Sequence, residues 1–318
     1  MGTTLTNDFS WSKSRHEKFS ECLRAYYLHY YGSWGGWEEQ APEEVRALYI
    51  LKKLHNRFTW AGGVVHETIK RALHALRAGR MADPELAIAW AHRLMREDWK
   101  HSSSRGYWSE RIRKEFGGLV EHEYGMPIPA EEWKRNWDNA RQALLWFFRS
   151  RWPSLAKSLR REQWLEVDEG FEFSSFQVDG VKVFAIPDFA FVDDDGRPLV
   201  VDWKTGKARD GYDDQVLGYA LYVSRRYGFP IDRVRATLVY LNDGVEQEVA
   251  VDQRSIDGFL ERMRRSVDSM RALLADPAAN VPQPREAFPM TEDLSSCARC
   301  VFRKVCRRDG DQVAAKVA

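Results

Sequence analysis

The apolar pattern of this chain changes period near residue 162, and that switch limits the fold more than any single motif does. Upstream of it, apolar residues recur at the three-to-four spacing of helices. In the stretch Glu43 to Phe58, Val45, Leu48, Leu51, Leu54 and Phe58 fall on one helical face. Asp83-Pro84 reads as a cap followed by proline at the first helical position, with Leu86, Trp90 and Leu94 sharing a face behind it. A third helix carries Trp133, Trp137, Ala140, Leu144 and Phe147 and runs into Trp152-Pro153, where the proline is expected to end it.

Downstream, the pattern is that of short strands. Gln163 to Phe176 is rich in aromatic and β-branched residues. Asp179-Gly180 signals a hairpin turn before a strand over Val181 to Ile186. Phe189 to Val192 and Leu199 to Trp203 are two more strands, separated by the turn-rich run Asp193 to Pro198. A helix is expected over Tyr212 to Tyr227, then strands over Ala236 to Leu241 and Val245 to Val251. A long amphipathic helix begins near Ser255, with Ile256, Phe259, Met263, Val267, Met270 and Leu274 on one side. This order predicts a mixed α/β (α+β) fold with a largely antiparallel sheet. Three regions follow: a helical part over 1–160, a core over 161–255, and a C-terminal helix with a cysteine cluster over 256–318.

Composition narrows the function classes only a little. The chain has 318 residues, 44% of them apolar, enough for one large domain or two. Charged residues make up 30% but nearly cancel to a net +1, so bulk charge does not argue for nucleic acid. The start lacks a signal pattern and no run approaches the roughly eighteen apolar residues of a membrane span, which leads us to expect a cytoplasmic protein.

The sharpest chemistry lies in Val201-Asp202-Trp203-Lys204-Thr205-Gly206-Lys207. Side chains alternate along a strand, so Asp202 and Lys204 share one face while Leu199, Val201 and Trp203 share the other. A three-residue loop, Asp194-Asp195-Gly196, with Gly196 left-handed, pairs Asp193 with Arg197. Counting outward from that pair sets Asp188 directly opposite Asp202, at the roughly 4.5–5.5 Å Cβ spacing of facing residues. A two-residue loop breaks this pairing. Two such carboxylates repel unless a cation sits between them, and oxygen donors suit Mg²⁺ or Mn²⁺. The plain alternative is a solvated hairpin whose acids and lysine face water.

The cysteines form a second set. Cys297, Cys300 and Cys306 are clustered near the end, and Cys22 is the one other in the chain. Four thiolates would complete a tetrahedral site, and spacing leaves zinc (Zn²⁺) and an iron–sulfur cluster both open.

Pro187-Asp188 followed by Asp202-Trp203-Lys204 resembles the motif of the PD-(D/E)XK nucleases. The run Lys204-Thr205-Gly206-Lys207 and a later Gln215 and Tyr219 on one helical face are similar to the RecB-like branch. The resemblance implies a restriction-endonuclease-like core that hydrolyses phosphodiester bonds. In it Asp188, Asp202 and Lys204 are catalytic, and Gln215 and Tyr219 position the scissile strand or the water. Gly62 with His66 matches the branch's upstream Gly-x-x-x-His pattern. By resemblance His66, Asp188, Asp202 and the Trp203 carbonyl hold Mg²⁺ or Mn²⁺. Glu166 lies where such proteins often carry an acid ahead of the sheet. One cysteine before the core and three after it resemble nucleases of the AddB type and their CRISPR-associated relatives. That likeness assigns Cys22, Cys297, Cys300 and Cys306 to a [4Fe–4S] cluster, although Leu23 stands where the family commonly has proline.

What is implied is a nuclease acting on DNA, on single-stranded ends or flaps, in repair, recombination, defence or CRISPR adaptation. No Walker-type phosphate loop is present, so a helicase or an adaptation partner is expected in trans. The rival is a non-catalytic nucleic-acid-binding scaffold that kept the fold. Arg141, Arg149, Arg151, Lys157, Arg160 and Arg161 among Trp146 and Trp152 offer a surface that grips a strand by phosphate contact and stacking, or else an ordinary solvated helix face.

Overall fold

The computed structural model describes residues 6–109, 116–168, 175–207 and 212–308. The middle of the strand expected over 163–176 lies outside these residues. The helices are α1 (Lys13–Glu21), α2 (Leu23–Tyr27), α3 (Glu43–Leu51), α4 (Arg57–Arg77), α5 (Pro84–Ser103), α6 (Val120–Glu123), α7 (Ala130–Arg149), α8 (Arg151–Ser158), α9 (Tyr212–Tyr227), α10 (Gln253–Arg271) and α11 (Leu294–Arg299). The strands are β1 (Ser10–Trp11), β2 (Leu54–His55), β3 (Gly118–Leu119), β4 (Trp164–Glu166), β5 (Ser175–Val178), β6 (Val181–Phe184), β7 (Phe189–Val192), β8 (Pro198–Lys204), β9 (Arg235–Tyr240), β10 (Val245–Val249), β11 (Leu274–Asp276) and β12 (Val281–Pro282). The architecture is mixed α/β. It divides into two compact units. One comprises 1–57, 98–127 and 264–318, and the other comprises 58–97 and 128–263.

Local sequence signals explain several boundaries. Asp83 caps α5 by accepting the Leu86 amide at 3.0 Å, with Pro84 in the first turn as expected. The buried side of α5 is not the predicted one, however. Leu86 is 72% exposed, and Ala91 and Met95 take the inward positions. The helix expected to run from Glu43 to Phe58 stops at Leu51, because Leu54 and His55 pair in parallel with Gly118 and Leu119. That pairing is a distant contact that no local period reveals. Pro153 does not end α7 either. The chain breaks at Ser150, whose hydroxyl caps α8, and Pro153 sits in the first turn of α8, where a missing N–H is tolerated. On α10 the predicted apolar side is buried from Ile256 to Met270, whereas Leu274 belongs to β11.

In the second unit the sheet order is β10-β9-β8-β7-β4. β8 and β9 are parallel and the other neighbours are antiparallel. Parallel neighbours need a crossover connection, and α9 lies in the one between β8 and β9. It packs Val216, Ala220, Tyr222 and Val223 over Ala190, Val200, Ala236 and Leu238. The opposite face of the sheet is aromatic. The indole of Trp203 meets Trp152 edge-on at 5.2 Å and Phe147 at 5.5 Å. Both faces of β8 are therefore covered, and the strand is buried from Pro198 to Trp203.

Two turns set the register. Asp179 and Gly180 both have positive φ, 49° and 74°, which joins β5 to β6 as a tight hairpin with Val178 opposite Val181. Between β7 and β8, Gly196 takes φ 72°, and the Asp193 amide donates to the Arg197 carbonyl at 2.9 Å. The Asp193 carboxylate caps the bend by accepting the amides of Asp195 and Arg197. The ladder then pairs Val192 with Pro198 and Phe189 with Val201, the register expected of a three-residue loop.

Candidate active site

One step beyond the Phe189–Val201 pair stand Asp188 and Asp202. Asp188 is clasped from two sides. Its Oδ1 lies 3.0 Å from His66 Nδ1 on α4, and its Oδ2 accepts the backbone N–H of Trp203 at 2.8 Å. Asp202 is 1% exposed and pairs with the Lys204 ammonium at 2.5 Å, the two side chains pointing the same way from β8 as strand alternation requires. Lys204 also donates to Gln215 Oε1 at 2.8 Å, and Gln215 Nε2 donates to the Tyr219 hydroxyl oxygen at 2.6 Å. Gln215 and Tyr219 are one turn apart on α9, so the helix presents both toward the end of β8. The structure thus brings His66, Asp188, Asp202, Trp203, Lys204, Gln215 and Tyr219 into one constellation.

The electrostatics fit acids crowded together. Burial pushes the Asp202 carboxyl up to about 6, the charge of Asp188 adds to this, and Lys204 offsets only part of it. Burial alone would lower His66, but the adjoining Asp188, with help from Asp202, turns the net shift upward. Tyr219 is held well above the usual phenol range by burial and by the two acids. Both carboxylates are turned toward protein partners. Among the described residues no three His, Cys, Asp or Glu side chains stand arranged to hold a metal ion. The donor types nonetheless suit a divalent cation: two carboxylates and an imidazole belong to this site, with His66 bonded to Asp188 and Lys204 paired with Asp202.

α4 reaches this site at close range. A Cβ on Gly62 would lie 2.9 Å from Thr205 Oγ1, so a side chain there would force Thr205 or the helix to shift.

Sequence reasoning did not single out Asp168 and Lys70. The Lys70 ammonium, one turn beyond His66 on α4, lies 3.3 Å from Asp168. The Asp168 amide donates to the carbonyl of Pro187, and its backbone is left-handed at φ 43°. Burial raises the Asp168 carboxyl, Lys70 lowers it, and Asp188 raises it again, so this acid feels the same centre. An Asp tolerates positive φ better than most residues, which is the one faint local signal. Glu166, by contrast, is turned elsewhere and receives the hydroxyls of Tyr222 and Tyr227.

The basic and aromatic insert behaves differently from a gripping surface in part. Trp152 is fully buried under Trp203, Arg151 pairs with Glu246 at 2.6 Å, and Arg160 pairs with Glu162.

In the first unit all four cysteines are free. Cys22, Cys300 and Cys306 pack against one apolar cluster that includes Ala25, Leu28, Leu48 and Phe302, while Cys297 is buried beside Ala298. Burial pushes the Cys300 thiol up to about 12 and also raises Cys297 and Cys306; the charge of Cys22 raises all three further.

The buried Asp202, the part-buried Asp188 and Lys204 thus stand together at the end of adjoining strands, backed by a crossover helix. The chain belongs to the PD-(D/E)XK nuclease superfamily, whose family model matches residues 10–307. Nucleases of this superfamily generally use Mg²⁺ or Mn²⁺ and act on nucleic acid, and some members are inactive. No curated protein matches the chain at a significant level. No helix among the described residues is long and apolar enough to cross a membrane.

Proposed function

We propose that this protein is a RecB-like, metal-dependent DNA nuclease that cuts single-stranded ends or flaps. The observation that carries the reading is the buried Asp202, facing a second acid and paired with Lys204 at 2.5 Å. Such a crowded pair is costly in a protein that has no use for it. His66, Asp188, Asp202 and the Trp203 carbonyl would hold Mg²⁺ or Mn²⁺. A divalent ion at this position supplies Lewis-acid polarisation of the scissile phosphate and a water of lowered pKa. The Lys204 ammonium stabilises the negative charge that develops on the phosphate. Gln215 fixes that ammonium through its side-chain oxygen, and Tyr219 locks Gln215 in turn.

Cys22, Cys297, Cys300 and Cys306 are proposed to hold a [4Fe–4S] cluster. The support is that Cys22, Cys300 and Cys306, far apart in sequence, pack against one apolar cluster, with Cys297 three residues before Cys300. Anaerobically purified protein should be brown and should lose its visible absorbance in Cys300→Ser. A colourless protein carrying stoichiometric zinc would assign the cysteines to zinc.

The biological setting we infer is repair, recombination, defence or CRISPR adaptation, with any motor supplied by another chain. The test of the whole reading is cleavage of single-stranded DNA labelled at the 5′ or 3′ end, with Mn²⁺, Mg²⁺ or EDTA. Metal-dependent cutting that disappears in Asp202→Asn is expected. A wild type that binds DNA but never cuts it would make the protein a scaffold.

A further inference from the structure

Two adjacent glycines inside a helix need a reason, because glycine is among the residues least favourable there. Gly62 has one in the close approach of Thr205. Gly63 has none among the described residues. It is exposed, it lies well inside the 21-residue α4, and a Cβ built on it meets no atom of the described residues within 4 Å. Helical spacing sets Thr59, Gly63, His66 and Lys70 along one stripe. The bare patch therefore adjoins the residue that clasps Asp188. Its neighbour Gly62 abuts Thr205, and the next residues along the chain, Gly206 and Lys207, are exposed.

We propose that the sugar–phosphate backbone of a nucleic-acid strand crosses α4 at Gly63 on its way to the acid pair. This rests on the nuclease reading above and adds the path by which substrate arrives. A helix without a side chain at that point lets a phosphodiester chain lie against the main chain, as glycines do wherever a ligand approaches closely. Lys207, exposed and two residues beyond Thr205 in the chain, offers positive charge to the same strand. Gly63 is thus a substrate-positioning position, with no part in the bond-breaking step.

The proposal makes stability and binding move in opposite directions. Gly63→Ala should raise Tm by about 2–4 °C, because alanine is the better helix former. Gly63→Leu should raise KM for labelled single-stranded DNA about tenfold or more while kcat is unchanged, the pattern of lost binding alone. Gly258→Ala in α10, where the added Cβ meets only the flexible tip of Arg262, should raise Tm and leave KM alone. Fluorescence anisotropy of the same DNA in Ca²⁺ gives a binding readout that does not depend on cutting, and Gly63→Leu should weaken it equally. If wild type cuts and Gly63→Leu shows an unchanged KM and affinity, the strand path is wrong and the nuclease reading survives. If wild type binds without cutting, the nuclease reading falls, and a weaker complex with Gly63→Leu still supports the path. If wild type neither binds nor cuts, both fall.

Discussion

Two carboxylates on the same sheet are almost equally hidden from water, yet they have opposite surroundings. Glu166, on the outer strand β4, is 2% exposed; Asp202, on the central strand β8, is 1% exposed. One oxygen of Glu166 accepts the Tyr222 hydroxyl at 2.6 Å and the Tyr227 hydroxyl at 2.8 Å, with the Arg226 guanidinium 3.5 Å away. Asp202 has a single ammonium and faces another acid. The helix α9 serves both, sending Tyr222, Arg226 and Tyr227 to Glu166 and Gln215 with Tyr219 toward Lys204. The lesson is that burial by itself does not mark a reactive acid. One oxygen of Glu166 has been supplied with two hydroxyl donors, whereas Asp202 has one ammonium and a second acid beside it, the arrangement that the proposed metal would relieve.

The largest effects should separate these acids by activity. Lys204→Ala and Asp202→Asn are expected to cut steady-state cleavage by about 10²–10³-fold, the scale of losing a charge-stabilising group. Glu166→Gln should leave most of the rate, and an equal loss there in a folded protein would erase the distinction. Stability should show the reverse. Glu166→Gln is expected to cost about 1–3 kcal/mol in urea unfolding because donors lose their charged acceptor. Asp202→Asn in EDTA should not destabilise, since it removes a like-charge contact; a large loss would mean that Asp202 is a structural acid too.

Acidity sharpens the contrast further. The Asp202 carboxyl, raised to about 6, keeps its proton in the native state where the unfolded chain has released it. Its ionisation therefore erodes stability as pH climbs from about 4 to about 6, and the penalty is constant above that. The Tm difference between Asp202→Asn and wild type in EDTA should grow across this window and then level off; a flat difference would remove the crowded-acid account. Tyr227→Phe should have the smallest effect, about 0.5–1.5 kcal/mol, because Tyr222 still donates to Glu166.

Much of the second unit was legible because its signals are local. Gly196 dictated the bend, the bend dictated the register, and strand alternation then put Asp202 with Lys204. The bounds of α9 and β7 also followed from pattern alone. What failed depended on distant partners. Leu54 leaves its expected helix to pair with Gly118, and Trp152, plausible as a stacking surface, is taken by Trp203. Asp168 carried no motif; its place near the acids comes from Lys70 and the Pro187 carbonyl, which are far apart in sequence. The inward side of α5 was misjudged because periodicity names a face but not which residues another element will cover.

The main-chain amide of Trp203 donates to Asp188 at 2.8 Å. That amide and any incoming ligand compete for electron density on one carboxylate. Its ¹⁵N–¹H resonance is thus an internal gauge, one of thirteen such signals in tryptophan-labelled protein. Anything that seizes the acid should shift this peak, so occupancy of the centre can be followed by magnetic resonance in the intact chain without any chemical turnover.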